Sequence, residues 1–395
     1  MESFRDKVAI VGMGTVKPGE LWDKDEKDMV VEAAHEALAD AGLEPKDIQA
    51  AWCSNGSPGF DFLNVAMKFN YIPVSHVQNA CASGGDTFRN ACAWVAAGLY
   101  DIVLACGSAK MKDAGTTGID MSNRGATGGA GAAGVISATG VPVHFALYAT
   151  RYMHHYGYTE RQIKEAMSRL AVKNHHNGTL NPKAYFQKEI TMEQAMNAPM
   201  IAWPLGLYDC CANIDGGAAA IITTPEIAKH LRSDYVVLKG SGMAVGGQEG
   251  RLQQQYQFVE FPENQLAAER AYEQAGIKDP FKELSHAELH DAFTVNELVD
   301  LEDLRLAPKG KAPEYIMAGT YDLEGQLPEN TSGGLKCCGH PPPATGIKMM
   351  YECYKQLQGK AGPRQVKNPT LSLAHNQGGL TGSFTTVVHV FGARD

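Results

Sequence analysis

Apolar positions along the chain switch repeatedly between two periods. Short apolar runs at Val8–Val11, Ala50–Cys53, Tyr71–Val77 and Ile102–Cys106 alternate with longer stretches, Asp28–Ala41 and Asp86–Leu99, where apolar residues recur every three or four positions. The first kind fits buried strands and the second fits amphipathic helices. Gly12-Met13-Gly14 follows the first strand, and Gly42 stops the first helix. From about Met111 to Pro204 the pattern changes. Gly115–Gly134 is rich in Gly, Thr and Ala and reads as mobile or tightly turned, while Val143–Tyr156, Thr159–His175 and Met192–Ala198 carry helical spacing. Strand character returns at Ala218–Thr223, just after Asp215-Gly216-Gly217.

The remainder repeats the opening in outline. Strand Tyr235–Lys239 is followed by helix Pro262–Ala275, stopped at Gly276, and by strand Leu284–Leu289. Helices Val295–Leu306 and Ala344–Leu357 and closing strands Leu371–Ala374 and Phe384–Phe391 complete the chain. Such alternation predicts a layered α/β sheet with helices on its faces, and the two similar halves suggest an internal duplication. The expected organisation is an N-terminal half over residues 1–112 and 205–230, an inserted loop domain over 113–204 that covers a sheet edge and builds a tunnel, and a C-terminal half over 231–395.

Composition narrows the class. With 395 residues, 44% of them hydrophobic and 20% charged, the chain can bury a large core as an ordinary globular protein. Its net charge of −9 gives no support to nucleic-acid or anionic-membrane binding. No run approaches the roughly 20 apolar residues of a membrane span, and neither end carries a secretory or peroxisomal signal. The 9 cysteines form no C-x-x-C pair, so a zinc ribbon is not expected; reduced thiols in a cytoplasmic protein are.

Candidate chemistry gathers in four segments. In Val77-Gln78-Asn79-Ala80-Cys81-Ala82-Ser83-Gly84-Gly85 a cysteine stands on a strand-to-helix turn, where the helix dipole favours a thiolate and small neighbours leave room for a substrate. It reads equally well there as a nucleophile or as a buried structural thiol. His290-Asp291-Ala292-Phe293 opens a helix after a strand, with Asp291 more a cap than an acid. Gly333-Gly334-Leu335-Lys336-Cys337-Cys338-Gly339-His340-Pro341 and His375-Asn376-Gln377-Gly378-Gly379 follow, the latter on the turn after a strand. The pairs His154-His155 and His175-His176 diverge by about 100° on a helix and read as polar surface rather than metal ligands. Cys210-Cys211 read as packed core beneath the site. Tyr148, Tyr152 and Tyr156 recur at helical spacing and read as packing.

Taken in order, Cys81-Ala82-Ser83-Gly84-Gly85, Asp215-Gly216-Gly217-Ala218-Ala219-Ala220, His290-Asp291-Ala292-Phe293, Gly339-His340-Pro341 with Ala344-Thr345-Gly346, and His375-Asn376-x-Gly378-Gly379 resemble a thiolase of the sterol-carrier-protein-2 type. The resemblance spans essentially the whole chain. It implies a duplicated five-layer α-β-α-β-α core and acyl-CoA chemistry, in which a 3-oxoacyl-CoA is cleaved by coenzyme A, or formed in reverse, in a degradative pathway. Cys81 would carry the acyl group and His340 would activate it, since a thiol of pKa near 8.5 is mostly protonated at pH 7. His290, with a water or with His340, would hold the enolate oxygen. The N–H groups of Cys81 and Gly378 would form the second oxyanion hole.

The pattern departs from the family at one role. Ala292 and Asn376 stand where a second catalytic thiol is usual. If the Cys338 segment is extended, Cys338 faces the same side as His340 and becomes the replacement acid/base. His144, beside Phe145, and Asn376 are the candidate substrate contacts. No bound cofactor or metal is implied; coenzyme A enters as substrate. A homodimer core is implied, and a small zinc-binding OB-fold partner subunit is compatible with the lack of a zinc motif. A retro-aldolase acting on a side-chain acyl-CoA and a non-catalytic acyl or lipid carrier are the rival readings, and both leave Cys81 without a use. A ketosynthase shares Cys-His-His chemistry, but the long insertion and the His-Asp-Ala-Phe frame favour a thiolase.

Overall fold

The computed structural model describes residues 3–56, 62–113, 140–247, 256–380 and 382–394. Its strands are β1 (Ala9–Thr15), β2 (Ala50–Asn55), β3 (Val74–His76), β4 (Ile102–Ala109), β5 (Met200–Ala202), β6 (Leu205–Gly206), β7 (Gly216–Thr223), β8 (Val236–Val245), β9 (His286–Glu288), β10 (Leu371–Leu380) and β11 (Ser383–Ala393). Nine of them hydrogen-bond in the order β3-β2-β4-β7-β1-β8-β11-β10-β9, and β5 pairs separately with β6.

That order is a repeat. In the first half β2 runs parallel to β4, and β7 lies antiparallel between β4 and β1. In the second, β9 runs parallel to β10, and β11 lies antiparallel between β10 and β8. The sheet joins the halves where β1 meets β8, pairing Ala9 with Val237 and Ile10 with Val236 and continuing to Val8, whose carbonyl accepts the N–H of Leu238 at 3.0 Å.

The same packing device recurs on both outer faces. Helix α1 (Glu26–Ala41) lies on β1 so closely that a Cβ at Gly12 or Gly14 would strike the carbonyls of Ala37 and Ala33. Helix α5 (Pro262–Ala275) lies on β8 in the same way, with Gly240 and Gly242 against Ala271 and Ala267. Glycine on the strand and alanine on the helix are what such a close approach requires. This shared register establishes the duplication that the sequence only suggested.

Two further long helices lie between the halves. Helix α2 (Ser83–Ala96) and helix α8 (Pro342–Leu357) pack on each other and on strands of both half-sheets. The layers therefore run α1, first half-sheet, α2 with α8, second half-sheet, α5, as expected. Where α2 and α8 touch, Gly84 and Gly346 face each other; a Cβ at Gly84 would lie 2.9 Å from the amide nitrogen of Gly346.

Between the halves in sequence, α3 (Val141–Tyr156) and α4 (Glu160–Leu180) cover the second half. Thr159 caps α4 in a reciprocal box with Gln162. Lys173 on α4 forms buried ion pairs with Glu297 of α6 (Thr294–Asp303), at 2.9 Å, and with Glu329. Tyr148 and Tyr152 are fully buried, as packing residues should be. The glycine-rich stretch 115–134 lies outside the described residues. None of the 9 cysteines is in a disulfide, and no described helix is long and apolar enough to cross a membrane.

Candidate active site

The loop after β3 turns sharply before α2. Ala80 takes a left-handed backbone with φ of 51°, a strained conformation for a residue with a side chain. Ser83 holds the turn: its hydroxyl donates to the carbonyl of Ala80 at 2.6 Å and accepts the N–H of Asn79 at 2.7 Å. Cys81 is thereby set just ahead of the first turn of α2, partly exposed on a cavity of about 530 Å³.

Two imidazoles face it. One donor atom each from Cys81, His290 and His340 lie within 4.8 Å of one another. No other His, Cys, Asp or Glu cluster among the described residues converges tightly enough to hold a metal ion. The two rings meet edge-on, with centroids 5.0 Å apart and planes at 81°. His290 precedes α6, whereas His340 precedes α8. The nucleophile candidate and one imidazole therefore stand ahead of the two central helices.

The hydrogen bonds give the two rings opposite proton arrangements. The carboxamide of Asn376 accepts the N–H of Gly85 at 3.0 Å, which fixes which end is oxygen. Its nitrogen donates to the Cys81 carbonyl at 3.0 Å and to Nδ1 of His290 at 3.2 Å. His290 Nδ1 is thus an acceptor, and its Nε2 carries the proton. At His340 the reverse holds. Thr345 donates its hydroxyl proton to the Pro341 carbonyl at 2.9 Å, so the same oxygen accepts from Nδ1–H of His340 at 2.8 Å. That leaves Nε2 of His340 as a lone-pair acceptor, buried with no hydrogen-bond partner among the described residues.

Burial keeps both rings neutral. It lowers the His290 pKa to about 3, and it lowers that of His340 well below the ordinary histidine value, helped by the neighbouring His290 ring, which would repel a second proton charge, and by the charge of Lys348. His375 accepts the backbone N–H of His290 on Nδ1 at 3.4 Å and donates from Nε2 to Asn264 at 3.1 Å, fixing the His290 backbone. Gly378 lies against the backbone of Cys81; a Cβ there would fall 2.5 Å from its amide nitrogen. The segment carrying His375 to Gly379 is not a turn. It is paired strand throughout, with Gly378 opposite Thr385 of β11. Gly378 serves close approach to Cys81, while Gly379, with φ of 111°, lies against Ser383 and Phe384 of β11.

The other expected residues go elsewhere. Cys338 does not reach this cavity. Its segment is a short helix, α7 (Gly334–Cys338), framed by left-handed glycines at Gly333, Gly334 and Gly339, so the alternation expected of an extended chain fails. The thiol donates to the Ser332 carbonyl at 3.2 Å and lines a separate small polar cavity with Thr345 and Lys348. Burial pushes its pKa up to about 11. His144 is buried against Phe145 and Phe384, and those two rings, not the imidazole, line the main cavity. Asn376 touches Cys81, Gly85 and His290 and lies behind the cavity wall as a positioning residue.

Sequence reasoning missed five contributors. Thr345 fixes the His340 tautomer; the signal was its place one turn after His340. His175, read as polar surface, is buried at the cavity wall between Phe186 and Tyr208. Cys210 and Cys211, read as core, also line the cavity. Lys336 is 3% exposed, lines the cavity, and donates to the Cys210 carbonyl. Asp291 acts as the expected cap, but for α7: its carboxylate accepts from the N–H groups of Leu335 at 2.6 Å and Lys336 at 3.2 Å, and from Asn174 at 3.0 Å. Burial, with Glu297 nearby, pushes its carboxyl up to about 8.

The remaining lining is apolar, with Phe145, Phe293 and Phe384 near the imidazoles and Ile190, Ile201 and Leu207 towards the small hairpin. Such a wall suits an acyl chain beside a compact polar centre.

Comparison with known proteins converges on one group. Residues 8–225 match the family model described as thiolase, N-terminal domain, and residues 245–391 match the thiolase C-terminal domain-like model. The chain is 35% identical to an acetyl-CoA acetyltransferase of Methanothermobacter thermautotrophicus, covering 97% of this chain and 99% of the relative. It is 30% identical to sterol carrier protein 2 of Oryctolagus cuniculus, covering 98% of this chain and 72% of that protein. Among solved structures, one described as "Ltp2-ChsH2(DUF35) aldolase" superimposes with a TM-score of 0.81 at 26% identity, covering 99% of this chain and 98% of the other.

Proposed function

The chain belongs to the thiolase family, and from that premise we propose that it is an acyl-CoA acyltransferase working through a thioester on Cys81. In the cleavage direction it would split a 3-oxoacyl-CoA with coenzyme A; in the other it would condense two acyl-CoA molecules. The observation that carries the reading is the convergence of Cys81, His290 and His340 with opposite tautomers on the two rings. A thiol needs a lone pair to take its proton, and a developing enolate needs an N–H to hold its oxygen. His340 supplies the first and His290 the second.

In this reading the Cys81 proton passes to Nε2 of His340 as sulfur attacks the 3-oxo carbon. The alkoxide is held by the N–H groups of Cys81 and Gly378. Collapse of this intermediate breaks the C2–C3 bond, leaving an acyl-Cys81 and an enolate whose oxygen accepts from Nε2–H of His290. Coenzyme A then attacks the thioester and releases Cys81. Coenzyme A is a substrate here, and no resident cofactor takes part.

Intact-protein mass spectrometry tests the proposal. Mixing with acetyl-CoA or acetoacetyl-CoA should add one acyl group, and Cys81→Ala should show none and lose at least about 10³-fold in turnover. Undiminished turnover in that variant would refute the mechanism.

A second reading is favoured by the likeness to the aldolase: a C–C lyase that needs no acyl-enzyme. It predicts carbon–carbon cleavage without an adduct on Cys81, so the same spectrum separates the two. By the same likeness we include a small partner subunit, of the zinc-binding OB-fold kind, on a homodimer core; co-expression followed by light scattering tests that assembly. Cysteines that form no disulfide support a reducing, cytoplasmic setting.

A further inference from the structure

The proposed reaction needs a second group that handles protons. When the C2–C3 bond breaks, C2 of the leaving enolate must gain a proton; when coenzyme A enters, its thiol must lose one. His340 already holds the proton of Cys81 between these events. Nε2–H of His290 is committed to the enolate oxygen, and Cys338 lies in another cavity.

We propose that Cys211 is this acid/base, an assignment that rests on the thioester reading of Cys81. The segment carrying it runs antiparallel to the one that follows His290. The N–H of Cys211 donates to the Ala292 carbonyl at 2.9 Å, and Cys210 bridges Phe293. Cys211 therefore sits beside Ala292 on a neighbouring segment, and Ala292, with only a methyl group, leaves the space next to His290 open. Cys211 and Ala292 line the reaction cavity together with Cys81, His290 and His340.

Charge at the site fits both halves of the task. Burial raises the Cys211 pKa, and the charges of Cys210, Asp291 and Cys81 add to that, so the resting group is a thiol with a proton to give. Lys336 acts in the opposite sense. Its ammonium is nearly fully buried, donates to the Cys210 carbonyl, and makes no ion pair among the described residues. A thiolate formed on Cys211 thus has a buried counter-charge at hand.

The protons balance over the cycle. Cys211 Sγ–H protonates C2 of the enolate, and acetyl-CoA leaves. The Cys211 thiolate then takes the proton of the coenzyme A thiol, whose sulfur attacks the thioester carbonyl. Cys81 departs as thiolate and recovers its proton from the His340 imidazolium. Cys81, His340 and Cys211 end as they began.

The test separates acylation from proton transfer at carbon. Acetyl-CoA is incubated with the protein in deuterium oxide, deuterium entry into its methyl group is followed by mass spectrometry, and the Cys81 adduct is measured alongside. In Cys211→Ala the adduct should still form, more slowly because the departing coenzyme A thiolate must then take its proton from water, while exchange falls about 10²- to 10⁴-fold. Cys211→Ser keeps the volume and should lie between the two. Cys338→Ala should exchange within about threefold of the unchanged protein, as expected if its thiol plays no part. Exchange in Cys211→Ala within threefold of the unchanged protein, with the adduct present, overturns the assignment alone. Exchange that depends on Cys211 without any Cys81 adduct overturns the acyl-transfer reading and leaves the acid/base standing. Absence of both adduct and exchange in the unchanged protein overturns both.

Discussion

The carboxamide nitrogen of Asn376 lies 3.2 Å from Nδ1 of His290 and can only donate to it. One amide thereby decides which nitrogen of the imidazole carries the proton. Asn376→Asp should reverse the decision with almost no change in volume. A carboxylate accepts where the amide donated, so His290 would place its proton on Nδ1 and present a bare Nε2 to the enolate oxygen. Losing one oxyanion donor costs about 10²- to 10³-fold. Deuterium exchange into acetyl-CoA should fall by that factor, with formation of the Cys81 adduct reduced far less.

Thr345 performs the matching task for His340. Thr345→Val removes the oxygen that accepts Nδ1–H at 2.8 Å and leaves a buried donor unpaired. The cost should be about 1–3 kcal/mol of stability, read by denaturant titration. The Cys81 acylation rate should drop about 10- to 100-fold. Thr345→Ser should restore most of the rate, because the hydroxyl and not the methyl sets the tautomer.

Gly378→Ala forces a methyl group to within 2.5 Å of the Cys81 amide nitrogen. The strand or the turn carrying Cys81 must then move. We expect acyl transfer to fall at least 10²-fold, with a lowered Tm, since the displaced N–H pair is the hole that would stabilise the tetrahedral intermediate. A rate within threefold of the unchanged protein would remove Gly378 from that hole.

The acid limb of the pH profile carries a further expectation. An exposed histidine of pKa 6.5 would retain only about one-tenth of its neutral form at pH 5.5. Burial holds the His290 pKa near 3 and that of His340 well below the ordinary value, so both stay neutral in that range. The sign is therefore flat: the rate of Cys81 acylation should change less than about twofold between pH 7.5 and 5.5. A tenfold loss, measured by stopped-flow with acetoacetyl-CoA, would mean that a more ordinary imidazole serves as base.

Much of this architecture was legible in the chain. Strands and helices on both sides of the duplication announced themselves through apolar period and through terminal glycines such as Gly42 and Gly276, because local backbone chemistry fixes those boundaries. The placement of Cys81 just ahead of a helix was legible from the strand-like and helix-like runs that flank it. The Cys338 expectation failed for a reason sequence does not display: Gly333 and Gly334 adopt positive φ, with Gly333 packed on Gly178 and Cys337 and Gly334 on the Asp291 carboxylate, contacts made across the fold. Helix α4 extends past His175 to Leu180 because its late polar residues, Asn174 and Asn177, are spent on buried hydrogen bonds across the fold. The pairing of Cys211 with Ala292 joins segments some eighty residues apart, which no local period can report.

Gly84 and Gly346, where α2 meets α8, have a consequence that reaches beyond packing. Cys81 leads into one of those helices and His340 into the other, so the gap across which a proton would pass is a spacing between two rods. The two glycines act as its gauge. A single methyl at either contact would widen that gap without touching a reacting atom, and turnover would become sensitive to mutations, pressure or partner binding along the whole helix pair. The reach of the proposed base would in this sense be a mechanical setting of the scaffold, fixed outside the cavity.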